Sequence, residues 1–241
     1  MEWYEDSVAC LTVAKKLLFD IEEKQRLSLT DVTIIPYMKV DIKNFLENCR
    51  SPLDYAAQYI FVEYCKDEYL KKEKQKKKQR KNLNPRIYYP IRKNESSFAT
   101  EIDRIYFPLQ DGHPEIINIF KKGQLFSSPD NPSLHYLNEL TNENKHSHLT
   151  KHERQLETNI KSFKDDNGNT YTNIYSFNSK SILVDGISIE DMAINALSEG
   201  REIDATIILE YYFKDLNKSV LLTLKSIYNH TNMVVSELKE T

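Results

Sequence analysis

The feature of this sequence that most constrains the fold is a long apolar stripe between Met38 and Tyr64. Apolar residues recur there at steps of three and four for more than twenty residues, which is the spacing of one face of an α-helix. Pro52 stands inside the stripe, where a proline removes one backbone hydrogen bond and kinks a helix. Because the stripe keeps its phase across Pro52, we predict one kinked helix rather than a second helix capped by Ser51. The stripe comprises Met38, Ile42, Phe45, Leu46, Cys49, Leu53, Ala56, Ala57, Ile60, Phe61 and Tyr64.

Shorter apolar stripes predict further helices before and after this one. The segment 30–36, between the first two helices, is expected to be extended or irregular and closes on Pro36. The other predicted helices are 5–27, one that opens at Pro114 and stops near Gly123, one introduced by 131–133, 189–197, and one that starts at Asn217 or Ser219.

After about residue 155 the pattern changes to the alternation of β-strands. The segments 158–163 and 171–177 alternate on either side of Asp-Asn-Gly-Asn at 166–169, which is a strong hairpin turn. The segments 181–189 and 203–213 are predicted as further strands. The sequence therefore predicts an α+β fold with a helical domain over 1–155. A small antiparallel sheet of three or four strands and a C-terminal helix are expected over 156–241.

Two similar phrases, 86–91 (RIYYPI) and 104–109 (RIYFPL), lie eighteen residues apart. Two copies are too few for a repeat architecture. The residue before a proline is biased toward an extended backbone, so both phrases are predicted to be ordered, extended crossing segments.

A block of basic residues follows the long helix. The segment 71–81 (KKEKQKKKQRK) carries a net charge of +7, which leaves −10 for the rest of a chain whose net charge is −3. Such a block contacts phosphate, or it is a solvated helix extension. It has no interleaved aromatic residues, so it is not a platform on which bases stack. Its cationic residues are Lys71, Lys72, Lys74, Lys76, Lys77, Lys78, Arg80 and Lys81.

Composition and missing motifs exclude several function classes. Only five of the 241 residues are glycine, against a usual share of about 7%, which argues against a pure β-barrel and a glycine-rich phosphate loop. The chain has no nucleophile-elbow, P-loop or dinucleotide-binding motif. No apolar run is long enough to span a bilayer, and the start is acidic where a signal peptide is basic. We predict a cytoplasmic protein with no membrane partner.

Four polar residues are the candidate site. Arg50 and Asp54 lie four residues apart, so they share one face of the long helix and can pair. Asn144 and His146 lie further along the chain, and we expect all four to converge. They form either an ion-pair network that holds two helices together or a site capable of acid–base chemistry.

His146, His148 and His152 are the residues that a metal site in this sequence would use. On a helix, His148 and His152 would lie one turn apart on one face, as zinc ligands do, with Glu153 or Glu157 nearby. No His-Glu-x-x-His motif and no cysteine pair supports it, and the three cysteines show no disulfide spacing. We predict neither a metal nor a cofactor.

Three segments resemble a broad family of uncharacterised bacterial proteins. CRSPLDY at 49–55 is similar to that family's R-S-x-L-D-H/Y phrase, and YPI at 89–91 resembles its F-P-I step. LNELTNENKH at 137–146 looks like its L-N-x-L-x-N-x-x-K-H segment. Order and spacing agree over about 40–150. The resemblance implies a HEPN-like helical domain, which many prokaryotic defence and toxin ribonucleases share.

The resemblance also indicates what a ribonuclease would need. Catalytic HEPN domains carry an arginine followed after four to six residues by a histidine, and both act on the RNA phosphate. Here Tyr55 stands at the fifth position after Arg50, and a phenol with a pKa near 10 is a poor base at neutral pH. The segment that ends at His146 has no arginine at its start. Neither copy of the pattern is intact.

The sequence therefore favours a non-enzymatic module that binds a protein partner or oligomerises with itself. The resemblance adds a prokaryotic defence, antiphage or mobile-element context. One alternative is a metal-independent ribonuclease that uses Arg50, Asp54, Asn144 and His146. The other alternative is a module that binds the backbone of RNA or DNA through 71–81.

Overall fold

A computed structural model describes residues 2–75, 85–146, 149–164, 170–177, 183–184, 187–199 and 204–241. The fold is α+β, as the sequence predicts. The chain forms two compact units. The helical unit comprises Met1–Leu18, Ile42–Leu149 and Thr223–Thr241, and the sheet unit comprises Phe19–Asp41 and Thr150–Leu222.

Helices account for most of the described residues. Two single π-helical turns, Phe61–Cys65 and Ile102–Tyr106, and one 3₁₀ turn, Val32–Ile34, lie between them. The helices are α1 (Glu2–Leu27), α2 (Ile35–Ile60), α3 (Lys66–Gln75), α4 (Glu95–Glu101), α5 (Leu109–Gly112), α6 (Pro114–Lys122), α7 (Ser133–His146), α8 (Ile189–Ser198) and α9 (Val220–Lys239).

The long helix α2 follows the apolar stripe and continues through Pro52 without a break. Every stripe residue is buried except Tyr64, which is half-buried. The expectation that 30–36 is extended or irregular is wrong at its end, because α2 already begins at Ile35 and takes Pro36 into its first turn. A proline fits there, since the first N–H groups of a helix have no partner within the helix.

The second of the two similar phrases is helical, not extended. The first phrase runs without regular structure, but Arg104 lies in a π-turn and Phe107 keeps helical dihedrals (φ −55°, ψ −30°) before Pro108. Burial of Phe98, Ile102 and Ile105 at helical spacing explains this, because packing overrides the weak bias of a residue before proline. The prediction of two extended crossing segments is therefore wrong for 104–109.

Aromatic side chains of three segments meet in the core of the helical unit. The ring of Phe120 in α6 lies 5.1 Å from that of Tyr89 and 5.3 Å from that of Tyr106, both in edge-to-face geometry. The Tyr106 hydroxyl donates to the backbone carbonyl of Tyr88 at 3.1 Å. These contacts fix the first phrase against the second, and so fix the arginine at the head of each.

The sheet unit is built on an antiparallel sheet of strand order β2-β1-β5-β6. The register pairs Lys164 with Thr170 and His152 with Phe213, which confirms the predicted hairpin pairing, and the turn 165–169 lies outside the described residues. The predicted strand 181–189 is instead two short strands paired with each other. The strands are β1 (His152–Lys164), β2 (Thr170–Phe177), β3 (Leu183–Val184), β4 (Ile187–Ser188), β5 (Asp204–Phe213) and β6 (Lys218–Ser219).

The end of α1 belongs to the sheet unit and is bound to β5. Gln25 Nε2 donates to the carbonyl of Leu209 at 2.9 Å, and the hydroxyls of Ser28 and Tyr211 lie 3.0 Å apart. The chain passes from the helical to the sheet unit between Leu149 and Thr150, near the predicted boundary at 155. A single boundary does not describe the units, because 19–41 lies in the sheet unit and 223–241 in the helical unit.

Among the helices that the structure describes, none has an apolar stretch long enough for a membrane crossing.

Gly123 ends α6 in a place where a side chain does not fit. A Cβ at this position would lie 2.7 Å from Leu134 Cδ1, and Leu134 is fully buried. Gly123→Ala is therefore expected to lower the free energy of unfolding by about 1–2 kcal/mol, the usual cost of overpacking. Gly112→Ala is the matched control, because nothing lies within 4 Å of its Cβ. Urea unfolding measures both, and equal stability of the two variants would contradict the prediction.

Candidate functional site

Arg50 and Asp54 form an ion pair on α2 that also holds the first phrase. Arg50 Nε donates to Asp54 Oδ2 at 3.1 Å, and Arg50 Nη2 lies 3.1 Å from Asp54 Oδ1. The backbone of Tyr89 closes the arrangement: its N–H donates to Asp54 Oδ1 at 2.8 Å, and its carbonyl accepts from Arg50 Nη2 at 3.2 Å. The pair thus satisfies two backbone groups in a segment that has no strand partner.

One nitrogen of this arginine lacks a partner. The Arg50 side chain is only 11% exposed, yet its Nη1 makes no hydrogen bond within the described part of the chain. Buried polar atoms without a partner are rare, and a charged donor without one is costly. An acceptor beside Nη1 would therefore be strongly favoured.

Arg50 and Asp54 line a pocket of about 450 Å³, which we call the arginine pocket. Its volume lies in the range of small-molecule sites, roughly 300–1,000 Å³. Four segments of the helical unit contribute to it. They are α2, the segment 86–92 that contains the first phrase, the end of α4 together with the π-turn that follows it, and α7. The lining residues are Arg50, Asp54, Arg86, Tyr88, Arg92, Glu101, Arg104, Asn138, Thr141 and Asn142.

The arginine pocket is positively charged. Glu101 Oε2 lies 2.7 Å from Arg104 Nη2, and Glu101 Oε1 lies 3.2 Å from Arg92 Nη2, so one carboxylate serves two guanidinium groups. Arg86 is exposed and forms no hydrogen bond or ion pair with any residue that the structure describes. Four arginines against two carboxylates leave two unbalanced positive charges at the lining.

Of the four predicted site residues, Arg50 and Asp54 form an ion pair and line the pocket. Asn144 is not among the lining residues, where α7 contributes Asn138, Thr141 and Asn142. His146 ends α7, and its side chain lies outside what the structure describes.

Tyr55, the residue that replaces the expected histidine, lines a different groove. Residues five apart on a helix point about 140° away from each other, and Arg50 lines the arginine pocket rather than this groove.

The predicted basic block is described only in part. Lys71 pairs with Glu68 at 2.6 Å, and Lys74 is exposed. Lys72 Nζ donates to the carbonyl of Asp103 at 3.0 Å and lies 4.0 Å from the centre of the Phe107 ring. Lys76, Lys77, Lys78, Arg80 and Lys81 lie outside the described residues. Two of the three described lysines therefore already have partners in this chain.

Of the three histidines that could form a metal site, the structure describes the side chain of His152. Within the described residues no group of three or more His, Cys, Asp or Glu side chains could hold a metal ion. His148 and the side chain of His146 lie outside them. His152 lies at the start of β1, not on a helix, and its ring packs 5.2 Å from that of Phe213.

Sequence reasoning missed most of the pocket, although one signal for it was visible. Arg86 and Arg104 head the two similar phrases, and both line the arginine pocket. Ile87 and Ile105, the second residue of each phrase, are both buried. The repetition of an arginine before a buried isoleucine could have identified two exposed cations anchored in the same way.

A comparison with protein-family models, curated proteins and solved structures finds no match to this chain.

Proposed function

We propose that this protein binds single-stranded RNA, with a backbone phosphate held in the arginine pocket, and that it does not cleave the strand. The observation that carries the proposal is the clustering of arginines. All four arginines that the structure describes in the helical unit line this one pocket, and none of its described lysines does.

The kind of cation supports a phosphate ligand. A guanidinium group is a planar fork that binds phosphate through two parallel hydrogen bonds, which an ammonium group cannot do. Arg50 Nη1 is a buried donor without an acceptor, and Arg86 is an exposed cation without a carboxylate. A phosphodiester would accept a hydrogen bond from Arg50 Nη1 and balance the charge of Arg86.

The remaining lining residues support a nucleotide rather than a bare anion. Tyr88 is 53% exposed at the pocket, so its ring is accessible for stacking on an unpaired base. Asn138 and Asn142 lie one turn apart on α7, and their amides can donate to and accept from base edges. The resemblance of 40–150 to a HEPN-like family supports RNA over DNA.

The titratable groups described at the pocket support binding without cleavage. Cleavage through the 2′-hydroxyl needs a general base with a pKa near neutral. Both lining carboxylates, Asp54 and Glu101, are held in ion pairs with arginines. Among the described side chains at the pocket there is no histidine.

The test is fluorescence anisotropy of an end-labelled single-stranded RNA of about twelve nucleotides. Arg86→Gln and Arg104→Gln are each expected to raise Kd about tenfold, the effect of losing one charge-assisted contact. Each is also expected to lower the slope of log Kd against log salt by about one. Arg26→Gln is the control, because Arg26 is exposed, pairs with Glu23 and does not line the pocket.

Three outcomes would contradict the proposal. Unchanged affinity in the double variant Arg86→Gln/Arg104→Gln would remove the pocket as the binding site. Loss of affinity on replacing Lys74, Lys76, Lys77 and Lys78 with glutamine, but not in the arginine variants, would move binding to 71–81. Cleavage of the RNA that His146→Ala abolishes would establish the ribonuclease alternative.

The prediction of a protein-interaction or oligomerisation module stays a prediction, as does its prokaryotic defence context. Sedimentation equilibrium of the RNA-free protein tests it directly, and a concentration-independent monomer would count against self-association.

A further inference from the structure

A second depression of the helical unit lies between the start of α1 and the second half of α2. It encloses about 460 Å³, and we call it the aromatic groove. Its position follows from helix geometry, because Tyr55, Tyr59 and Val62 share one face of a helix at steps of four and three. The lining residues are Glu2, Trp3, Asp6, Tyr55, Gln58, Tyr59 and Val62.

Aromatic rings form the wall of the groove. The ring of Trp3 stacks on that of Tyr59, with centroids 5.7 Å apart and planes 27° apart. Tyr55 is 41% exposed, so its ring is accessible from solvent. A lysine of this chain makes a cation–π contact next to the groove. Lys239 Nζ lies 4.2 Å over the ring of Tyr4, and this ring packs edge-to-face on Trp3.

Two carboxylates add negative charge to these rings. Glu2 and Asp6 lie one turn apart on α1, and both are exposed at the groove. No lysine or arginine among the described residues lines it. Rings whose faces attract cations, together with unbalanced carboxylates, select a positively charged ligand.

We propose that the aromatic groove binds the side chain of a lysine presented by a protein partner. The ammonium group lies between the carboxylates of Glu2 and Asp6. The four-carbon stem packs along Trp3, Tyr59 and Val62, as lysine stems do on apolar surfaces. From Tyr55 to Val62 the groove follows the end of α2 and the start of the π-turn for about 10 Å, which is long enough for an extended lysine and longer than an ammonium ion without a stem requires.

The groove carries its own spectroscopic probe, because Trp3 is the single tryptophan of the chain. Titration with a short alanine peptide that contains one central lysine is expected to change the Trp3 emission saturably at constant ionic strength. The same peptide with acetylated lysine has lost the charge and is expected to leave the emission unchanged. Tetramethylammonium tests the alternative that the groove binds a small ammonium ligand rather than a lysine side chain. It is expected to bind at least tenfold more weakly than the lysine peptide.

Variants assign the response to the groove. Asp6→Asn and Tyr55→Leu are each expected to raise Kd for the lysine peptide about two- to fivefold, in line with the size of one exposed ion pair or one exposed cation–π contact. Glu5→Gln is the matched control, because Glu5 is an exposed carboxylate of α1 that does not line the groove.

The proposal is overturned if the emission responds equally to the acetylated peptide, or if Glu5→Gln weakens binding as much as Asp6→Asn. Tighter binding of tetramethylammonium than of the peptide would assign the groove to a small ammonium ligand instead. Arg86→Gln is expected to leave this titration unchanged, so failure here is distinguishable from failure of RNA binding.

Discussion

Asp54→Ala is expected to lower the free energy of unfolding by about 2–3 kcal/mol, because it leaves one partner of a partly buried ion pair unpaired. Arg50, whose side chain is 11% exposed, would remain without its carboxylate. The Tyr89 N–H would also lose its acceptor, which adds the penalty of an unsatisfied backbone donor. Urea unfolding followed by circular dichroism measures the loss.

The control for this prediction is Glu68→Ala. Glu68 pairs with Lys71 at the surface, where both side chains are more than half exposed, and such pairs contribute only about 0–1 kcal/mol. A loss in Asp54→Ala no larger than that in Glu68→Ala would mean that the Arg50–Asp54 pair does not hold the first phrase. RNA affinity is best compared at temperatures where Asp54→Ala is fully folded.

Acidification is expected to destabilise the protein between about pH 6.5 and pH 4 through His152. Burial, with a smaller contribution from Lys39, lowers the pKa of His152 to about 4. As the pH falls, His152 is therefore protonated in the unfolded chain before it is protonated in the folded protein. The contribution of neutral His152 to stability is fully present above pH 6.5 and is lost progressively as the pH falls to 4. The expected loss is roughly 3 kcal/mol across this window, since each pKa unit corresponds to about 1.4 kcal/mol.

His152→Phe separates this effect from general acid denaturation. Phenylalanine preserves the contact with Phe213 and cannot take a proton. We expect the variant to show a flatter dependence of unfolding free energy on pH between 6.5 and 4. His230, whose pKa burial also lowers, contributes in the same direction. Identical pH profiles of wild type and His152→Phe would refute the assignment.

The apolar periodicity was sufficient to predict the long helix, the α+β class and the antiparallel hairpin. These features depend on burial of a regular stripe, which a sequence displays directly. The helical conformation of the second phrase could not be predicted in this way. Burial of Phe98 and Ile105 keeps Phe107 helical, although a residue before proline prefers an extended backbone. Local propensity is a weak guide where tertiary burial competes with it.

The arginine pocket shows the same limit for function. Arg50 and Asp54 were identified because they lie on one helix, where a spacing of four residues implies proximity. Glu101 and Asn142 come from other segments, and only the fold brings them to the same pocket. On α7 the pocket is lined by Asn142, which lies about half a turn from the predicted Asn144.

The division of the chain has a consequence for how such a protein can evolve. The chain passes between the helical and sheet units at four places, near residues 18, 41, 149 and 222. A single genetic crossover therefore cannot separate the two units, because no single break leaves all of one unit on one side and all of the other unit on the other side. Transfer of the sheet unit would require two internal segments to move together. We therefore expect relatives of this chain to vary by substitution and by insertions in loops rather than by exchange of one unit.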